Sequence, residues 1–228
     1  MLNSVLHMSL ATPDLTETPM PIAFKEWAVT VRALSEGEQL LTLRKPGAGE
    51  QDHDLEHDRF FLYPTFDHQH NDLVRPSHHP ELDRALEEGV WPDEEPHARA
   101  LLQDGGIPQP DRVRIRAWAE VAELITIENP KVVDGLSPFY VWTTDYASKR
   151  LGWKPRNPLQ LVLLRVHRIP RPVTVRVREE YHTSRSWAEI DRDLPFEGTP
   201  VMADEEFERA SDEIRAICSG GDRVPAFA

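Results

Sequence analysis

The chain has 228 residues, which suits one large domain with extensions and suffices for a real core. Its 26 Lys and Arg against 39 Asp and Glu leave a net charge of −13, which argues against a general polyanion binder, because non-specific phosphate binding needs clustered cations. No run approaches the roughly eighteen apolar residues of a membrane-spanning helix. The single cysteine, Cys218, rules out an internal disulfide framework and an all-cysteine zinc site, and suits a reducing cytoplasm.

The opening "MLNSVLHMSLATPDLTETPMPIAF" has no charged leader region and no long apolar stretch, so a secretory signal is not expected. Pro13, Pro19 and Pro21 mark residues 1–21 as a flexible lead. From Ala23, Phe24, Trp27, Val31 and Leu34 fall at helical spacing, with Lys25, Glu26, Thr30 and Arg32 on the other face and Gly37 as the stop. "EQLLTLRK" alternates as a half-buried strand, "PGAGEQDHDLEHD" is a polar loop, and "RFFLYPT" is the next strand. Residues 80–89 read as a short amphipathic helix on Leu82, Ala85 and Leu86, followed by an acidic, proline-marked loop. "RVRIRAWAEVAELITI" predicts one long bent strand or two paired ones. A strand through Tyr140 to Trp142 and a helix capped at Thr143 or Thr144 come next. "PLQLVLLRVHRI" and "PVTVRVREEY" read as strands, and residues 204–218 as an amphipathic closing helix before a tail at 219–228.

About six strands with interspersed helices imply one α+β domain over residues 22–218, built on a curved mixed sheet or small barrel with flanking helices. Insertions near 46–58 and 87–111 would rim that sheet.

Charge is uneven along the chain. Acid gathers at 50–58, 87–95 and 204–208, whereas Arg112, Arg114, Arg116, Lys149, Arg150, Lys154, Arg156, Arg165, Arg168 and Arg171 reverse the balance downstream. Either a basic face on an acidic body or a set of solvated strand and loop arginines fits this pattern.

Six of the ten histidines, His53, His57, His68, His70, His78 and His79, fall in one stretch, and Asp67 or Asp72 could complete a metal site there. The spacing matches no zinc signature, since His68 and His70 alternate along an extended chain and point apart. No lysine has an acidic residue two positions before it, so the magnesium-nuclease pattern is missing. There is also no Gly-x-Ser-x-Gly elbow and no phosphate-cradling Gly-x-x-x-x-Gly-Lys, and Cys218 reads as inert.

The remaining constellation sits at predicted strand ends and a helix start. It comprises Arg44, Lys45, Tyr63, Thr65, His68, Gln69, Trp142, Thr143, Arg150 and Trp153. Aromatic faces stack on bases, Arg and Gln donate to base edges, and a helix N-terminus attracts phosphate. These residues are expected to bind a nucleic acid or nucleotide-like ligand without catalysis. Two alternatives stand beside it. One is a divalent-metal hydrolase or nuclease around Asp67 and His68, and the other is a protein-interaction module that docks through the acidic loops. Oligomeric state is not legible.

"AFKEWAVTVRALSEGEQLLTLRK" followed by "HDRFFLYPTFDHQ" resembles the bacterial family named domain of unknown function 1802. The matching residues are Lys25, Glu26, Trp27, Ala28, Gly37, Gln39, Arg44, Lys45, Phe61, Pro64, Thr65, Phe66, His68 and Gln69. "VWTTDYASKRLGWKPRNPLQLVLLRV" is similar to a later family segment, so the likeness spans residues 23–187. Relatives joined to restriction-type nuclease domains imply a nucleic-acid sensor, linked to restriction or DNA-damage processes. These 228 residues leave no room for such a nuclease. The helix, Gly, strand, Arg order is also similar to pseudouridine-synthase-associated barrels that hold bases, which implies a barrel of that kind.

Overall fold

Two long antiparallel strands form the spine of the computed structural model: β5 (Arg112–Ile127) and β6 (Leu159–Arg176). The structure describes residues 20–45, 55–66, 71–91, 110–127, 129, 131–150, 152, 159–182 and 186–220. Around the spine lie β1 (Ile22–Trp27), α1 (Ala28–Glu36), β2 (Leu41–Arg44), β3 (Arg59–Thr65), α2 (His79–Leu86) and β4 (Gly89–Val90). Downstream are α3 (Lys131–Gly135), α4 (Tyr146–Arg150), β7 (Trp187–Glu189), β8 (Thr199–Pro200) and α5 (Asp204–Cys218). The sheet runs β2-β6-β5-β3-β1-β7, with β4 added to β5 and β8 to β6. All neighbours are antiparallel except β1 and β3, so the fold is α+β with a curved mixed sheet.

Two irregularities curve the spine. Ile115 pairs with Val173 but Ala117 pairs with Arg168, so the stretch 169–172 of β6 bulges out of the ladder. Pro170 and Pro172 lie in that stretch and are exposed, as expected of residues with no N–H to give a partner strand. The two strands expected on either side of these prolines are therefore one. Further along, Val121 faces Leu164 and Glu123 faces Leu163, which leaves Ala122 as a one-residue bulge.

The sheet is buried on both faces. Phe61 and Tyr63 of β3 point into one core with Trp118 and Trp142, while Phe60 and Leu62 point into a second with Phe24, Val31 and Leu34. A strand covered on both sides reads as an unbroken apolar run, which is what "RFFLYPT" is.

The segment expected as one helix from Ala23 is instead strand and helix in direct succession. Ile22–Trp27 is β1, pairing Ala23↔Phe61 through Trp27↔Thr65 with β3 and Phe24↔Trp187 with β7. Five inter-strand pairs to β3 outweigh the helical spacing of Phe24 and Trp27. α1 then begins at Ala28 and ends at Gly37, whose φ of 80° suits glycine and whose N–H caps Ala33 and Leu34 carbonyls. The presumed solvent face is also inside: Glu26, Thr30 and Arg32 are all buried.

The expected strand at Tyr140–Trp142 reduces to a single bridge, Val74↔Trp142. This stretch threads between Leu40 and Arg75, with Arg75 N–H donating to Val141 O (3.0 Å). The buried Gln39 side chain takes the place of a partner strand. Its amide oxygen accepts from Val141 N–H (3.1 Å) and its Nε2 donates to Leu41 O (2.8 Å).

Candidate functional site

The carboxyl ends of the parallel strands β1 and β3 lie side by side where α1 begins, and they gather polar groups that both strands carry inward. Glu26 is only 6 % exposed. Its Oε1 accepts the Trp27 N–H at 2.8 Å, and Thr65 Oγ1 donates to its backbone carbonyl at 3.1 Å. Lys25, whose register partner is Tyr63, donates Nζ to Tyr181 O at 2.5 Å, and the Tyr63 and Tyr181 rings meet edge-on at 5.9 Å. One wall is aromatic. Trp27 meets Trp142 edge-on at 4.8 Å, and Trp142 stacks on Tyr146 at 4.5 Å with 11° between the rings.

Of the residues singled out from sequence, Tyr63, Thr65, Trp142 and Thr143 belong to this region. Thr143 N–H donates to Leu73 O at 2.6 Å, and its carbonyl accepts Tyr146 N–H to start α4. The Thr143 hydroxyl oxygen is enclosed without a hydrogen-bond partner among the described residues. Arg44 ends β2 opposite Gln160 and both are buried. Lys45 Nζ donates to Gly152 O at 2.6 Å, two residues past Arg150 at the end of α4. His68, Gln69 and Trp153 lie outside the described residues, as do Asp67, His53 and His70, and the Arg150 side chain is not described.

The described histidines are dispersed. His57 packs edge-on against Trp187, and His79 Nε2 meets Val74 O at 3.1 Å. Burial and the neighbouring Arg75 push His78 below its ordinary range. Among the described residues, the one set of carboxylates close enough to share a cation is Glu36, Glu38 and Glu81, and Arg84 already bonds Glu36 and Glu81. Burial, then Glu123, pushes the Cys218 thiol up to about 11, so it stays protonated and unreactive.

Sequence reasoning missed Glu26 and Trp27 as site residues, because a helical reading put Glu26 in solvent. The signal was available in the tripeptide Lys-Glu-Trp at a strand-to-helix junction. It also missed Glu88, which is fully buried and joins Arg32 Nη1 (3.0 Å) to Arg116 Nε (2.6 Å). Burial pushes the Glu88 carboxyl up against the downward pull of Arg116 and Arg32.

Many arginines of the expected basic face are spent on internal links. Arg116 binds Glu88, Arg165 binds Asp204, and Arg168 donates to Ser35 O at the end of α1; outside that set, Arg178 binds Asp191. A cavity of about 640 Å³ lies near the start of β1. It is lined by Trp187, Tyr181 and the carboxylates Glu56, Glu180, Glu189 and Asp191 beside Arg178 and His57. No described helix is long and apolar enough to cross a membrane.

No curated protein matches the chain. Among solved structures it is similar to the ASCH protein of Zymomonas mobilis, at 9 % identity and a TM-score of 0.41, covering 85 % of this chain and 94 % of that one. A single-residue mutant of that protein matches at 10 % identity and a TM-score of 0.40, covering 86 % and 98 % of the two chains. A second mutant gives 10 %, 0.39, 85 % and 97 %. The model for the family described as domain of unknown function (DUF1802) matches residues 23–213, and the chain belongs to that family.

Proposed function

We propose that this protein binds nucleic acid or a nucleotide-like ligand at the paired ends of β1 and β3. The observation that carries the reading is the Glu26 carboxylate, which accepts the Trp27 N–H in a largely buried setting at the strand ends where Thr65 bonds the Glu26 backbone carbonyl and, on the other face of β1, the Trp27–Trp142–Tyr146 rings gather. A carboxylate there accepts from the exocyclic amine of a base, and surroundings shielded from water strengthen that bond. The Thr143 hydroxyl, without a hydrogen-bond partner among the described residues, supplies a second polar contact next to the same wall. Lys45 after β2 and Arg150 of α4 supply cations, Trp153 follows α4 in the sequence and belongs to the same reading, and Arg44, buried opposite Gln160, holds the end of β2 in place. His68 and Gln69 follow β3 within four residues of Thr65 and belong to the same reading. Tyr63 and Trp142 are both inside the protein, so their part is to hold the wall in place.

Fluorescence anisotropy against labelled single-stranded, duplex and modified-base oligonucleotides tests the proposal. Arg44→Ala is expected to abolish binding, and Glu26→Gln to change the order of preference among bases. Preference for duplex DNA would carry the link to restriction or DNA-damage processes. An intact protein that binds no oligonucleotide at low salt removes the reading.

A further inference from the structure

The first turn of the spine carries a charge pattern that the internal ion pairs leave unanswered. Arg112 of β5 and Arg176 of β6 are directly opposite each other, and both are exposed, while their neighbours Val113 and Val175 form the buried pair beneath. Arg114 is the next residue on the same face of β5, opposite Thr174. Arg192 reaches the same place from outside, with Nη1 donating to Thr174 O at 2.9 Å. The Arg114 side chain donates to the Glu87 carbonyl, and among the described residues no carboxylate meets Arg112, Arg114, Arg176 or Arg192. Elsewhere on the sheet Arg59 pairs with Glu120, Arg116 with Glu88 and Arg165 with Asp204, while Arg168 donates to the Ser35 carbonyl.

Facing like charges on adjacent strands, with Cβ atoms about 5 Å apart, repel and destabilise the sheet. Four guanidinium groups with no carboxylate partner among the described residues are conspicuous in a chain of net charge −13. Guanidinium presents a planar fork of donors that fits phosphate oxygens in pairs, and successive same-face positions on a strand are about 7 Å apart, so several phosphates of one strand can be engaged together. β3 runs antiparallel to β5 from Phe61↔Trp118, so its Thr65 end and the Arg112 end of β5 lie at the same end of the sheet. We infer that the face formed by Arg112, Arg114, Arg176 and Arg192 is a docking surface for the phosphate backbone of a nucleic acid. This inference rests on the base-reading proposal for the ends of β1 and β3, and it assigns sequence-independent affinity to a separate surface.

The test measures binding of a labelled 20-nucleotide single strand, and of inorganic polyphosphate, as a function of salt. Wild type is compared with Arg112→Gln/Arg176→Gln and with Glu26→Gln. The double arginine variant is expected to bind both probes more weakly and to flatten the slope of log K against log salt by about 1.4, at roughly 0.7 per phosphate contact on a single strand. Its melting temperature should equal or exceed that of wild type, which separates lost contacts from lost folding. Glu26→Gln should leave that slope unchanged. An unchanged slope in the arginine variant overturns the docking surface and leaves base reading standing. Arginine-dependent polyphosphate binding without base preference supports the surface and removes the base reading. Failure of the wild type to bind either probe, or its preference for vesicles of phosphatidylserine and phosphatidylcholine over both, overturns the inference.

Discussion

Arg116 and Arg112 sit on the same strand, four residues apart, yet the fold treats them in opposite ways. Arg116 donates Nε to Glu88 at 2.6 Å, and Glu88 also holds Arg32, so one fully buried carboxylate ties β5, α1 and the end of α2 together. Arg32 in turn meets Glu36 at 2.7 Å and Glu87 at 3.1 Å. Arg112 faces Arg176 with no such partner among the described residues. A guanidinium on a sheet is therefore not informative by itself. What distinguishes structure from a docking surface is whether the chain brings a carboxylate to meet it.

Glu88→Gln breaks the closed side of this comparison. A buried ion network adds little relative to an apolar core, but removing one partner strands the others away from water. Gln keeps the shape and removes the charge, leaving Arg116 with Glu87, at 3.9 Å, as its one carboxylate in reach among the described residues. Urea unfolding at pH 7 should show a loss of about 3 kcal/mol or more with little change in m. A loss under about 1 kcal/mol would mean that water already screens the network and that the two arginines are more alike than their contacts suggest.

The open side is tested by removing repulsion. Arg112→Gln with Arg176→Gln should raise stability by about 0.2–1 kcal/mol at low salt, the range for cross-strand charge pairs. The gain should shrink towards zero near 1 M salt, where charges more than about 3 Å apart are screened. Destabilisation at low salt would show that these side chains make native contacts.

The contrast was half legible in the sequence. Elements whose pattern is local came through: β2 and β3, the long β5, and α5, whose Phe207 and Ile214 face the core. β1 did not, because a strand buried on both faces loses its alternation and Phe24, Trp27, Val31 and Leu34 satisfied a helical period by coincidence. Trp142 looked like strand because its flanks are apolar, while its real support is the side chain of Gln39, 102 residues from the Val141 N–H it accepts. The uneven run of arginines was visible. Its division into spent and open members was not, because Glu88 meets Arg32 and Arg116 across 56 and 28 residues. The buried position of Glu26 was hidden for the same reason, since only pairing with β3 shows that it faces inward.

Glu38 is the acidic counterpart of Arg112 and gives the finest test. It lies near Glu36 and Glu81, whose close cation, Arg84, is already bonded to both. Partial burial, then Glu81 and Glu36, push the Glu38 carboxyl above its ordinary range, with Arg84 and Arg32 pulling the other way. A carboxyl raised in the folded state binds its proton more tightly there than in the unfolded chain. Its contribution is therefore fully present below the ordinary glutamate value of 4.5 and is lost as pH rises through the shifted one. Glu38→Gln should thus match wild type below that window and exceed it above, by no more than about 0.5 kcal/mol because the side chain is exposed and screened. Chemical denaturation across pH 3.5 to 8 should show the two curves diverging as pH rises. Divergence in the opposite sense would mean that Arg84 and Arg32 outweigh the neighbouring carboxylates, and that Glu38 is as well partnered as Glu88.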